Sequence, residues 1–311
     1  MIGITLGDPA GIGPEIVLKA VAKIRNAQSK IRIIGSLAML DDLKERLALK
    51  LNLEPLVFDV IPKFNYRLGK TDKKCGKVAL CGLEVAVELL KIGLLKGIVT
   101  APICKESLIK VGFKYPGHTE FLAKAFSVQR YAMLAYSPQL KIIFVTTHKP
   151  ISQVAKSITK TTVLEKILLL NDFLISHQKL INPKIAVFGL NPHTFEFSQG
   201  EEEKIFQAIK QARRKGITVA GPFPSDTISE LIEKFDGFVA MYHDQGMIPI
   251  KLLARDRGVN VTLGLPYPRT SPLHGCAFDI AGKGIANPSS MISAIKLCFC
   301  LIGAKGLGSE Q

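Results

Sequence analysis

With 311 residues, 47% of them hydrophobic and 22% charged, the chain can bury a large core, which excludes the disordered and fibrous classes and favours two lobes over a single unit. Its six cysteines include no CxxC pair, and the one close pair, Cys298 and Cys300, falls in an apolar helical stretch, so neither a disulfide scaffold nor a zinc–thiolate site is suggested. The formal net charge of +15 would concentrate any polyanion, but the basic residues, as in 67–77 and Arg213-Arg214-Lys215, are scattered and lack interleaved aromatics; they read as a solvated surface, with no nucleic-acid module.

The chain opens directly into a strand pattern, Ile2-Gly3-Ile4-Thr5-Leu6, without a basic leader or a small-residue cleavage site, and no apolar run reaches the length of a membrane span. A reducing cytoplasm, with no membrane contact, is the expected location. Short apolar runs that read as buried strands follow at 2–6, 31–34, 56–61, 97–100, 132–136, 141–146, 184–188, 218–220, 237–241 and 259–263. Helices are legible between them at 14–23, 77–95, 162–176, 201–215, 226–234 and 288–301, several opened by proline or an acidic residue in the first turn. The alternation predicts an α/β fold. Ser137-Pro138-Gln139 is too short for a helical crossover, so the runs on either side of it must pair antiparallel in a mixed sheet. With no repeat and no long linker, two lobes have to be woven from separate stretches: 1–115 with 245–311, and 116–244.

Histidine carries most of the chemical information. Of six, five (His118, His148, His193, His243 and His274) stand where a strand or loop meets a turn, and only His177 sits in a polar helix end. Ligands in open α/β sheets bind beyond the carboxyl ends of the strands, and His148, His193 and His243 each follow an expected strand. Three imidazoles there suit a borderline divalent cation, with positions open for substrate oxygen; taken singly, each reads better as a structural histidine or a hydrogen-bonding partner. Asp244 and Gln245 follow His243. Asp226 precedes an expected helix and is open between an N-cap and a carboxylate supporting a metal-bound histidine.

Gly7-Asp8-Pro9-Ala10-Gly11-Ile12-Gly13-Pro14-Glu15 joins the first strand to the first helix, where Gly11 and Gly13 would let the backbone approach a ligand and the helix N-terminus could meet phosphate. It is not the GxGxxG dinucleotide fingerprint, so alone it is no more than a tight turn. Lys251, Asn260 and Arg269 are candidate binders of phosphate or carboxylate. Arg269, in Leu265-Pro266-Tyr267-Pro268-Arg269-Thr270, is expected in a proline-rigidified loop, either as a fixed planar fork for an anion or as a surface residue.

Taken together, these segments resemble the 4-hydroxythreonine-4-phosphate dehydrogenase family of vitamin B6 synthesis. The likeness runs from the glycine-rich turn through Thr100-Ala101-Pro102, Pro116-Gly117-His118-Thr119-Glu120, Thr146-Thr147-His148, Gly189-Leu190-Asn191-Pro192-His193 and Tyr242-His243-Asp244-Gln245-Gly246 to Thr262-Leu263-Gly264-Leu265-Pro266. It implies a divalent metal (zinc, magnesium or cobalt), one per active site, on His148, His193 and His243. It also implies a small phosphorylated substrate on His118, Thr119, Lys251, Asn260 and Arg269, and a homodimer with shared active sites. The stretch from His274 to Pro288 looks like the adenosine-binding loop of the wider isocitrate and isopropylmalate dehydrogenase group. That likeness implies two α/β/α lobes with mixed sheets around a central cleft, and NAD or NADP bound without a Rossmann fingerprint. The candidate cofactor contacts are Gly11, Gly13, His274, Asp279 and Asn287; an aspartate such as Asp279 near the adenosine ribose would favour NAD. By the same likeness the 1–115/245–311 lobe would bind the cofactor, and the 116–244 lobe would hold the metal ligands and dimerise.

The chain departs from the family where Thr194-Phe195-Glu196-Phe197-Ser198 replaces a small, glycine-rich stretch, and at Pro272-Leu273 and Cys276. The implied reaction oxidises the substrate's secondary alcohol to a β-keto acid that decarboxylates to 3-amino-2-oxopropyl phosphate. Lys251, His243 and Asp244 are the candidate catalytic residues, Lys251 for proton transfer or charge stabilisation. The nearest rival is a paralogous dehydrogenase of a four-carbon sugar-acid phosphate, erythronate or threonate 4-phosphate. A non-catalytic anion- or nucleic-acid-binding protein is the distant one.

Overall fold

Strand β1 (Ile2–Thr5) is buried along its whole length, as its unbroken apolar reading demands, and in the computed structural model, which describes residues 1–304, it is the centre of a parallel sheet. Helix α1 (Gly13–Lys23) starts on Pro14 with Glu15 in its first turn. Then come β2 (Ile31–Gly35), α2 (Leu37–Arg46), β3 (Val57–Asp59), α3 (Lys73–Lys91), β4 (Ile98–Thr100), α4 (Lys105–Ile109) and α5 (His118–Ala125). Asp72 caps α3 by accepting the Lys74 N–H at 2.6 Å, so this helix begins and ends about a turn before the expected 77–95.

The next stretch forms β5 (Ala132–Tyr136), β6 (Lys141–Phe144), α6 (Ile151–Ser157), α7 (Lys160–Ser176), β7 (Ile185–Phe188), α8 (Glu201–Arg214), β8 (Val219–Phe223), α9 (Ile228–Leu231), β9 (Gly237–Ala240), α10 (His243–Ala254) and β10 (Val259–Leu263). The chain closes with β11 (Arg269–Pro272) and α11 (Ser289–Leu301).

Two compact units result, Met1–Val128 with Leu265–Gln311, and Gln129–Gly264. The boundaries expected from sequence lay at 115/116 and 244/245. Helix α5 stays with the first unit because Leu122 packs into its core with Ala86, Val87 and Leu90. Strand β10 stays with the second because it pairs with β5 from Val259↔Tyr136 to Leu263↔Ala132. The first unit's sheet runs β3-β2-β1-β4-β11, every pair parallel. The second runs β10-β5-β6-β9-β7-β8 and is mixed: β5 pairs antiparallel with both β10 and β6, through the Ser137 turn, and the remaining pairs are parallel.

Two local expectations are corrected. Arg269 is not in a loop: β4 pairs with it as Arg269↔Ile98 and Thr270↔Val99, and the prolines before it fall where a missing N–H costs no ladder bond, Pro268 instead accepting the Ile98 N–H at 2.9 Å. The expected 226–234 helix is a 3-10 turn (Ser225–Thr227) followed by only one turn of α9, and Asp226 makes no cap hydrogen bond there. The N-cap reading of Asp226 therefore fails.

Candidate functional site

Strands β6, β9 and β7 are parallel neighbours, so their carboxyl ends share one edge of the sheet, and the segment leaving each carries a histidine: His148, His243 and His193 respectively. His243 is the first residue of α10. That helix can press onto β6 because residue 246 is glycine; a Cβ there would lie 2.6 Å from the Phe144 ring and 2.7 Å from Ile142. Gln245 pins the turn from both sides, accepting the Met241 N–H at 2.6 Å and donating to the Gly189 carbonyl at 2.8 Å. As a result the His243 ring stacks on Phe144 and lies 6.0 Å, centroid to centroid, from His148. Asp244 Oδ1 is 2.6 Å from His243 Nδ1. A carboxylate there keeps the proton on Nδ1 and the lone pair on Nε2, the tautomer a metal ligand needs.

His193 is not gathered into this pair. It stands exposed on a turn that continues into a 3-10 segment (Thr194–Phe197). Among the described residues, no three His, Cys, Asp or Glu side chains of one chain lie close enough together to hold a metal ion. The loop before it is nonetheless tightly built. Glu202, fully buried at the start of α8, accepts the Leu190 and Asn191 N–H groups at 3.0 and 2.8 Å and the Asn191 side-chain amide at 3.0 Å. Burial works against its charge, yet the Asn191 donors win and hold the carboxyl below its usual range.

The first unit holds two of the candidate substrate residues, Arg269 and His118. Arg269 is 2% exposed, and its Nε and Nη2 donate to Thr100 Oγ1 at 3.0 and 2.6 Å, Thr100 being the last residue of the neighbouring strand β4. Burial pushes the guanidinium pKa down to about 10, against the opposing charge of Glu120. His118 opens α5 with Thr119 beside it; the residue is only partly covered, but its Nε2 is buried and has no hydrogen-bond partner. Desolvation first, and Arg269 second, keep the His118 pKa well below the normal histidine value. A neutral imidazole with an unused buried nitrogen and a buried cation that influences it are groups of the kind that suit an oxyanion. In the second unit Lys251 is exposed in the last turn of α10, and Asn260 on β10 has a buried Oδ1 without a partner.

The candidate cofactor residues sit where the glycine-rich turn meets the 274–287 stretch. Ile12 N–H donates to the Cys276 carbonyl at 2.9 Å; Lys19 Nζ donates to the Gly284 and Ala286 carbonyls at 2.8 and 3.0 Å; Glu15 accepts the Ala286 N–H at 2.8 Å. Gly11 and Gly13 are explained by this packing: a Cβ would stand 2.8 Å from the Cys276 carbonyl at residue 11 and 2.2 Å from the Leu6 carbonyl at residue 13. His274 has a buried, unpartnered Nε2, and burial lowers its pKa. Asp279 is exposed, whereas the Asn287 Oδ1 accepts the Ser289 N–H and hydroxyl at 2.9 and 2.7 Å, opening α11. The cysteines are all free, and burial pushes the Cys75, Cys276 and Cys298 thiols up to about 12, so these three are not poised as thiolates.

Thr100, Glu202 and Gln245 are the supporting residues that sequence reasoning did not single out. Glu202 alone left a signal, since it extends the buried stripe Ile205, Ala208, Ile209 and Ala212 of α8 by one helical step.

A 4-hydroxythreonine-4-phosphate dehydrogenase of Sulfurihydrogenibium sp. (strain YO3AOP1) is 39% identical, over 96% of this chain and 98% of its own length. An Oceanobacillus iheyensis protein provisionally named D-threonate 4-phosphate dehydrogenase is 41% identical, over 95% of this chain and 96% of its own. The crystal structure of 4-hydroxythreonine-4-phosphate dehydrogenase from Klebsiella pneumoniae superposes with a TM-score of 0.84 at 34% identity, covering 97% of this chain and 99% of that one. Isocitrate dehydrogenase from Methylococcus capsulatus, at 16% identity and a TM-score of 0.53, covers 97% of this chain and 86% of its own and shares the fold alone. The model of the family described as pyridoxal phosphate biosynthetic protein PdxA matches residues 8–298, which takes in every candidate ligand above, and the chain therefore belongs to that family of α/β oxidoreductases.

Proposed function

We propose that the chain is an NAD(P)-linked, divalent-metal-dependent dehydrogenase that oxidises 4-phosphooxy-L-threonine, in the synthesis of pyridoxine 5'-phosphate. The observation that carries the reading is the orphaned, buried His118 Nε2, which feels the charge of the buried Arg269 guanidinium, a pairing suited to a phosphate or carboxylate. Thr119 adds a hydroxyl in the same helical turn. On the family likeness Lys251 and Asn260 are further substrate contacts, Asn260 with an unused side-chain oxygen.

The donor chemistry fits a metal: two imidazoles face each other, and Asp244 leaves His243 with Nε2 free to donate. On the family likeness His148, His193 and His243 would hold it, the set being completed between two copies of the chain. The α10 face bearing Ile248 and Leu252, 60% and 72% exposed, supports such a homodimer. A dinucleotide fits the 274–287 stretch through the unpartnered His274 Nε2, with Asp279 and Asn287 as further contacts, Asp279 favouring NAD.

When bound, the metal would supply Lewis acidity at the substrate's oxygens and the nicotinamide a hydride acceptor. The chain's own residues do the rest. Arg269 and His118 anchor the phosphorylated end; Asp244 fixes the His243 ring; Lys251, exposed on α10, takes up or returns the proton of the reacting hydroxyl. Loss of hydride and proton gives a β-keto acid, which releases carbon dioxide to leave 3-amino-2-oxopropyl phosphate. A cytoplasmic location suits this chemistry, and among the described residues no helix is long and apolar enough to cross a membrane.

The Oceanobacillus relative favours one second reading, a threonate or erythronate 4-phosphate dehydrogenase with the same anion and metal sites. Nicotinamide absorbance at 340 nm, about the usual wavelength for such assays, followed with both substrates, both cofactors and zinc, magnesium or cobalt, decides. Higher kcat/KM on 4-phosphooxy-L-threonine is expected; preference for the sugar-acid phosphate establishes the second reading, and no turnover on either overturns both.

A further inference from the structure

His193 and Thr194, neither of them glycine, both take left-handed backbone, with φ of 55° and 56°. Such residues persist only where their surroundings over-determine them, and they cluster at functional sites. Here the surroundings are explicit. The Thr194 N–H donates to the Asn191 carbonyl at 3.1 Å, and its buried methyl fills the space over Gly189, 2.9 Å from where a Cβ would stand. Glu202 holds the backbone N–H groups of Leu190 and Asn191 just upstream.

The consequence of the strained pair is a tight 3-10 turn that folds residue 196 back toward residue 193. Glu196 Oε2 lies 3.7 Å from His193 Nδ1, and the Phe197 ring stands edge-on to the imidazole, with centroids 6.0 Å apart. At His243 a carboxylate faces the same nitrogen, Nδ1, there within hydrogen-bonding distance at 2.6 Å. Two histidines on neighbouring strand ends therefore each carry a carboxylate on Nδ1, reached by different local routes: i to i+1 into a helix, and i to i+3 around a strained turn.

We propose that Glu196 is a positioning residue for His193: from 3.7 Å its carboxylate closes on Nδ1 when the cation binds and then accepts the Nδ1–H, fixing the ring and the tautomer so that Nε2 presents its lone pair to the metal. This rests on the metal reading given above. An exposed ion pair between solvated side chains would contribute almost nothing, whereas a carboxylate that orients a metal-bound histidine changes metal affinity about 10–100-fold.

The test is Zn²⁺ affinity of the full-length protein, measured by competition with a chromophoric chelator, with thermal melts run alongside. Glu196→Gln is expected to bind Zn²⁺ about 10–100-fold more weakly than wild type with an unchanged melting temperature, and Glu196→Asp to recover most of the loss. Glu203→Gln removes a nearby carboxylate in the first turn of α8 that bonds Ser198 rather than a histidine, and is expected to bind as wild type does. Wild-type affinity in Glu196→Gln would overturn the proposal. So would a loss that aspartate does not recover, or one matched by Glu203→Gln or by a falling melting temperature. Wild-type protein that binds no Zn²⁺ would instead overturn the metal reading itself, and the proposal with it.

Discussion

Replacing Glu202 by glutamine tests how the His193 loop is held. The carboxylate accepts three N–H groups, two backbone and one side-chain, without any accessible surface of its own. Glutamine keeps one oxygen for the Leu190 and Asn191 backbone donors but sets an NH₂ against the Asn191 amide, donor to donor. Three charge-assisted bonds at about 1.5 kcal/mol each become two neutral ones at about 1 kcal/mol each, a loss of roughly 2–3 kcal/mol. The loss is pH-dependent. Because the folded carboxyl titrates below its usual range, its stabilisation is complete above the unfolded pKa and disappears as pH falls through the folded one. The gap between wild type and Glu202→Gln should thus be widest near neutrality and close below about pH 4. The chain has no tryptophan, so urea unfolding at pH 7 and in acid is best followed by far-UV circular dichroism. A gap under about 0.5 kcal/mol at pH 7, or one that acid leaves undiminished, would refute the account of this loop.

Arg269→Lys keeps the charge but loses the fork on Thr100, and kcat/KM for the phosphorylated substrate should fall about 100-fold, mostly through KM; steady-state kinetics at saturating cofactor would show it. His118 is held neutral by burial, so only the unfolded chain takes up its proton as pH drops below about 6.5. Its contribution is a stability loss that grows with acidification, up to about 2 kcal/mol at pH 5, and the denaturation slope between pH 7 and 5 should flatten in His118→Asn. Gly13→Ala forces a methyl to 2.2 Å from the Leu6 carbonyl; a destabilisation of about 3 kcal/mol or more is expected in thermal or urea melts, with no rescue by added cofactor.

The fold class was legible because both of its periodicities are strong. All ten expected strands exist, and the Ser137 turn joins an antiparallel pair as its length required. Helices α2, α4, α5 and α6 were missed, and so were two elements whose local sequence argues against them. Helix α10 carries Gly246 and Pro249 inside it, both poor helix residues, and forms because the glycine lets it lie against β6. Strand β11 follows two prolines and exists because β4 offers it a ladder. In both cases tertiary contact overrides propensity, and tertiary contact is what a linear pattern does not display.

The same division runs through the site. His118, His148, His193, His243 and Arg269 could be picked out because imidazole and guanidinium are rare groups with few purposes, and the folding units do set them at strand and helix ends. The residues that aim them are ordinary: a threonine, a glutamate, a glutamine and a glycine. Their roles come from burial and from partners distant in the chain, as with Thr100 and Arg269, 169 residues apart. A threonine that ends a buried parallel strand has its hydroxyl where only a neighbouring strand can use it, and a guanidinium there loses water it must replace. Ligand identity therefore follows from composition and position, whereas ligand orientation follows from the sheet order, and any substitution that keeps the first while disturbing the second should cost activity without removing a single proposed ligand.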